Sequence, residues 1–97
     1  MTEKEMIKIF KALSVDSRVK ILKLIKDRTL CVNAIKQQLD ITQPAVSQHL
    51  SILKAAGLVN HDRYGSIIHY SMNVSRLEDF KKSVQKYLGD EFILLNE

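Results

Sequence analysis

The side chains able to do chemistry in this chain are few, and they fall into two sets. One is a run of short hydrogen-bonding groups, Thr42, Gln43, Ser47, Gln48 and Ser51, with Ala45, His49 and Lys54 among them. The other is a single thiol, Cys31, and two further imidazoles, His61 and His69. Neither set has the makings of a reaction. No nucleophile has a histidine and an acid in a supporting motif, no glycine-rich loop could cradle a phosphate, and no carboxylates pair in apolar surroundings. The first set suits recognition instead. Amides and hydroxyls donate and accept at base edges, and small residues between them let a backbone come close. A reader of DNA is therefore favoured over an enzyme, and no cofactor is expected.

These groups need a helix to present them, and the local signals supply one from Thr42 to Ala56. The Thr42 hydroxyl can accept from a free first-turn amide. Pro44 lies where a missing N–H costs nothing. Gly57 suits a left-handed position just past the end. Val46, Leu50 and Leu53 fall at i, i+4 and i+7 and form a narrow apolar stripe. On a merely solvated face, Lys and Glu would be better helix formers than these neutral groups. A shorter helix, Val32 to Leu39, precedes it, with only Asp40-Ile41-Thr42 between. Helix, tight turn, helix is the supersecondary pattern of a DNA-binding helix-turn-helix, here about 32–56.

Beyond Ala56 the period changes to two. Leu58–Arg63 and Ile67–Met72 read as strands around a three-residue loop, Tyr64-Gly65-Ser66, and make a hairpin at about 58–72. If this hairpin is a wing beside the reading helix, Arg63 is the expected phosphate or minor-groove contact, with Tyr64 and Ser66 beside it; otherwise Arg63 is a solvated hairpin charge. That loop would set His61 directly opposite His69, an imidazole pair too poor in ligands to make a zinc site by itself. Upstream, a Thr2/Glu5 capping box opens a first helix to about Leu13, with Met6, Ile7, Phe10 and Leu13 as its apolar face. Ser14 or Asp16 opens a second, to about Lys26, with core at Val19, Leu22 and Ile25 and a stripe widened by Ile21 and Leu24. A Ser75/Glu78 box opens the last, about 75–88, with Leu77, Phe80, Val84, Tyr87 and Leu88 on its apolar face.

Ninety-seven residues, 45% of them hydrophobic, make one domain (1–97) with a modest core. No run spans a bilayer and no signal pattern opens the chain, so a cytoplasmic protein without a membrane partner is expected. One cysteine cannot form an internal disulfide. The net charge of +4 favours a polyanion, but it is not concentrated on the reading helix. Residues 1–30 hold eight Lys/Arg against four Asp/Glu, whereas 42–75 hold only Lys54 and Arg63 against Asp62. Base reading would thus be polar, with the general electrostatic footprint supplied by the first two helices.

The runs QPAVSQHLSILKAAGLV, Arg63-Tyr64-Gly65 and IIHYSM, with the opening FKALSVDSRVKILKLI, resemble the ArsR/SmtB family of winged-helix repressors over Phe10 to Met72. The resemblance implies a mainly α fold with a β-hairpin wing. It also implies a homodimer through the first and last helices, with Ile7, Phe10, Phe80, Val84 and Tyr87 at the seam, and repression at a palindromic double-stranded DNA site. His49 matches the family's His-Leu pair, where the histidine approaches DNA, although a packing role is also open. The usual metal ligands are lacking. Leu30-Cys31-Val32-Asn33 keeps one cysteine of a Cys-x-Cys, and Val74 to Tyr87 contains no histidine. A classical metal sensor is therefore not expected. Two other readings stay open, a protein-interaction module that does not bind DNA and a redox-responsive repressor using Cys31. The inducer and the operator are not named by any residue. The apolar tail Phe92–Leu95 either covers the dimer seam or frays.

Overall fold

The computed structural model describes residues 1–89. Its elements run α1 (Glu3–Leu13), α2 (Asp16–Ile25), β1 (Leu30–Cys31), α3 (Val32–Leu39), α4 (Gln43–Ala55), β2 (Val59–Tyr64), β3 (Ile67–Met72) and α5 (Val74–Leu88). The apolar tail Phe92–Leu95 lies outside the described residues.

The helix ends explain most of the boundaries. Thr2 Oγ1 accepts from Glu5 N at 3.1 Å and opens α1. The expected reciprocal half of that capping box is not made, because the Glu5 carboxylate lies 3.4 Å from Arg76 Nη1 instead. At the other end of α1, Arg18 Nε donates to Ala12 O at 2.6 Å and Ser14 Oγ to Lys11 O at 2.7 Å. Two orphan carbonyls are thereby satisfied, and a cation sits at the negative end of the helix. The turn from α3 to α4 is made by Asp40, whose φ of 52° makes it the one non-glycine residue at positive φ among the described residues. Asp tolerates this left-handed position better than most side chains.

The last helix starts differently from the expectation. Its cap is Asn73, whose Oδ1 accepts from Arg76 N at 3.3 Å and from Ser75 Oγ at 3.0 Å. Ser75 therefore lies inside the helix and caps nothing. Asn73 takes the role because it is the last residue before helical backbone, where a side-chain oxygen can reach the first-turn amides.

The core is built from Ile9, Ala12, Ile21, Leu22, Ile25, Ile35, Val46, Leu50, Leu53, Ala56, Leu58 and Val59. On α1 the buried residues are Met6, Ile9 and Ala12, while Ile7 is 43% exposed. On α2 the inward residues are Ile21, Leu22 and Ile25, with Val19 and Leu24 only half-buried. On α5, Val84 is 1% exposed within the single chain, so its side chain is used inside the protomer. The part of a seam that the sequence assigns to Val84 falls away, because α1 and α5 already pack against each other there. Phe10 and Phe80 meet edge to face across those two helices, with ring centroids 4.9 Å apart.

Three antiparallel strands form the sheet, in the order β1-β3-β2. Tyr64 pairs with Ile67, so the hairpin turn is the two residues Gly65 and Ser66, not three. Gly65 has φ +66° and Ser66 no positive φ, the pattern of a type II′ turn. The short strand β1 pairs Leu30 with Tyr70 and Cys31 with His69, which joins the entrance of the helix-turn-helix to the wing.

Candidate nucleic-acid interface

The outer face of α4 assembles from its local chemistry. Thr42 Oγ1 accepts from Ala45 N at 3.3 Å, and Pro44 occupies the first turn. Val46, Leu50 and Leu53 are buried and fix which way the helix faces. That rotation leaves Gln43, Ser47, Gln48, Ser51 and Lys54 exposed. Gln43, Ser47, Ser51 and Lys54 recur at i, i+4, i+8 and i+11 along one face, with Gln48 on its flank. The face is neutral apart from Lys54 and offers amide and hydroxyl groups at several heights. Ala45 and His49 are half-buried on the side that turns toward the body. The Nδ1 atom of His49 is buried without a hydrogen-bond partner.

The wing stands beside this face. Lys54 Nζ lies 3.3 Å from His61 Nε2. Lysine has only donors, so the imidazole nitrogen accepts. Lys54 thereby bridges the end of α4 and the base of the wing. Arg63, Tyr64 and Ser66 are all exposed near the tip. Tyr64 is 63% exposed and its ring meets that of His69 edge to face at 5.2 Å. Ile67, across the turn from Tyr64, is 51% exposed. Sequence reasoning missed Ile67 as a surface residue, because a β-branched residue in an alternating strand reads as core. The sign available was its position next to a turn-forming Gly-Ser pair.

The two wing histidines do not face one another. His61 pairs with Tyr70 and His69 with Asp62, so the imidazoles point to opposite faces of the sheet. The shorter turn shifts the register by one residue and so separates them. His69 shares its face with its cross-strand neighbours Cys31 and Asp62. Among the described residues no group of three or more His, Cys, Asp or Glu is placed to hold a metal ion. Cys31 is the half-buried residue just before α3, and its side chain makes no capping hydrogen bond.

A tight two-helix turn followed by a hairpin on a three-stranded sheet defines a winged helix-turn-helix module. The family model described as bacterial regulatory protein, arsR family, matches residues 16–61. The chain is similar to the transcriptional repressor SdpR of Bacillus subtilis (strain 168), 39% identical over 71 residues, covering 73% of this chain and 79% of that protein. It is 32% identical over 85 residues to the HTH-type transcriptional repressor SmtB of Mycobacterium tuberculosis, covering 88% of this chain and 63% of that protein. In fold it resembles an ArsR-like transcriptional regulator from Rhodococcus sp. RHA1, with a TM-score of 0.82 over 96% of this chain and 88% of that one, at 24% identity.

The chain belongs to the arsR family of bacterial regulatory proteins. It is a DNA-binding transcriptional regulator of the winged helix-turn-helix class. Its family and relatives are regulators and not enzymes. No helix among the described residues is long and apolar enough to cross a membrane.

Proposed function

We propose that the protein is a dimeric repressor that lays α4 of each protomer into the major groove of a palindromic operator. Ser47 and Gln48 read base edges, and Gln43 and Ser51 lie near bases or backbone. Thr42 approaches the groove wall, with only the exposed edges of the half-buried Ala45 and His49 beside it, and Lys54 and the wing residues Arg63, Tyr64 and Ser66 hold the phosphate backbone. One observation carries this reading. The apolar stripe of α4 is fully buried, while its neutral hydrogen-bonding residues stand together in solvent beside a wing. Half-sites would be spaced by about one helical turn, ~34–36 Å.

The dimer rests on the terminal helices. Ile7 and Tyr87 are each 43% exposed, and Leu88 is 53% exposed, so both outer helices present apolar surface. Phe10 and Phe80 back that surface from within. An interface between identical patches related by a two-fold axis would cover it and set two recognition helices side by side. The reading includes neither a resident metal nor a cofactor, and the protein acts in the cytoplasm.

Purified protein is titrated onto its own upstream DNA and onto random duplex at two salt concentrations, with and without zinc. The reading expects preference for the upstream DNA, a steep loss of affinity with salt, and indifference to zinc. Binding to neither DNA at low salt would overturn it. Light scattering checks the dimer, and a monomer at assay concentration would remove the two-fold arrangement.

A further inference from the structure

The corner between α4 and the wing is held by the first turn of another helix. Three successive carbonyls leave α4 at this corner, those of Ala56, Gly57 and Leu58. Each accepts a bond from α5 or its cap. Asn73 N donates to Leu58 O at 2.8 Å, Asn73 Nδ2 to Gly57 O at 2.9 Å, and Arg76 Nε to Ala56 O at a long 3.5 Å. Arg76 Nη1 continues to Glu5 Oε2 on α1 at 3.4 Å. The packing is close, since a Cβ added at Gly57 would stand 2.9 Å from Arg76 Nε.

The Asn73 amide is almost fully used. Its oxygen accepts from Arg76 N and Ser75 Oγ while its nitrogen donates to Gly57 O. These partners fix the amide in one orientation, because oxygen only accepts and NH₂ only donates. Arg76 adds a cation at the C-terminal end of α4, where the helix dipole is negative. The guanidinium is fork-shaped, so it can serve a carbonyl on one helix and a carboxylate on another.

We propose that Asn73 and Arg76 are positioning residues that set the angle between α4 and the wing, and hence the register in which both meet DNA. Neither residue need touch DNA. The corner carries the only covalent link from α4 to the wing, and β3 returns to the same point before α5 begins. A change of angle there displaces Arg63, some six residues further out, relative to Ser47 and Gln48. Reading by the helix and holding by the wing must occur together, so loosening the corner costs specific binding more than it costs random binding. This inference rests on the DNA-reading assignment of α4 and the wing made above.

Two charge-conserving variants test it. Asn73→Ser keeps a good cap for α5 but has no group to reach Gly57 O. Arg76→Lys keeps the cation near Glu5 but loses the fork. Fold is checked by circular dichroism, and binding is measured below the melting temperature. The expected result is a loss of roughly tenfold or more in the ratio of operator to random-duplex affinity, the scale of one good base contact, with random-duplex affinity unchanged. A merely destabilising change would leave that ratio intact once the protein is folded. An unchanged ratio in both variants overturns the proposal.

A second measurement needs no DNA. Spin labels are placed through Ser47→Cys and Ser66→Cys in a Cys31→Ser background, and labelled protein is diluted into unlabelled protein. The helix-to-wing distance distribution should broaden or shift in Asn73→Ser and in Arg76→Lys, and an unaltered distribution overturns the proposal. If the distribution shifts while the parent protein prefers no DNA, the clamp stands and the DNA reading falls.

Discussion

Replacing Gly57 with Ala should destabilise the protein about twice as much as replacing Gly65 with Ala, and the reason for the difference can be isolated. Both glycines have positive φ, 79° and 66°. An alanine at either position carries the left-handed penalty of roughly 1–2 kcal/mol, part of it offset by the loss of freedom in the unfolded chain. A net backbone cost of about 1 kcal/mol is therefore common to both. The surroundings differ. A Cβ at Gly65 meets nothing within 4 Å, whereas at Gly57 it comes within 2.9 Å of Arg76 Nε. Arg76 must swing away, which gives up its bond to Ala56 O and its ion pair with Glu5. The pair is partly exposed, at 29% and 45%, so solvent screening discounts it. About 1 kcal/mol in all is a reasonable sum for the two contacts.

For a domain of this size, 1 kcal/mol shifts Tm by about 4–8 °C. Thermal melts at one fixed protein concentration should show a fall of about 4–8 °C for Gly65→Ala and about 8–16 °C for Gly57→Ala. In an Arg76→Ala background the excess at Gly57 should vanish, leaving only the common backbone cost. Equal losses for the two glycines, or an excess that persists without Arg76, would show that the guanidinium does not pack on this corner.

Gln48→Ala should cost about 1–3 kcal/mol of operator affinity at one base position and leave random-duplex binding unaltered, which a panel of singly substituted operators would reveal. Arg63→Ala should weaken operator and random duplex alike and lower the salt slope of log K by about one, read from titrations across salt concentrations. Leu53→Ala removes a fully buried core side chain and should cost about 2–5 kcal/mol, measured by urea denaturation.

The recognition helix was legible because its determinants are local. Thr42 and Ala45 are three residues apart, Pro44 and Gly57 mark its two ends, and the Val46–Leu50–Leu53 stripe leaves a single rotation possible. The Thr2 cap follows the same rule. What escaped depends on contacts distant in sequence. Leu30 and Cys31 form a strand only because Tyr70 and His69 come to meet them. The apolar residues of α1 cover more than one face, and the common core contributed by α2, α3 and α4 takes Ile9 in while Ile7 stays out. Val84 fits an exposed seam as well as an internal one by spacing alone. At the last helix two caps compete within three residues, and Asn73 takes the role because helical backbone begins directly after it, a start that spacing alone does not fix. The turn length was misread because Tyr64, placed in the loop, has strand propensity and pairs with Ile67; one residue is thereby added to the first strand alone, which shifts the register and undid the His61–His69 pairing.

The two-residue turn constrains how a wing of this kind can change length over evolutionary time. Side chains alternate faces at every step of a strand, so one residue added to each strand below Tyr64 would carry Arg63 to the other side of the sheet. Only insertions of two per strand preserve the facing of everything beyond them. Each such step would extend the tip by about 7 Å. The His61–Lys54 contact lies nearer the base than Arg63 and would be untouched by a change made between them. Wing reach can therefore vary in steps of four residues while the junction with the reading helix stays as it is. Related chains with longer wings should differ from this one by even numbers per strand, with single-residue differences accompanied by a bulge.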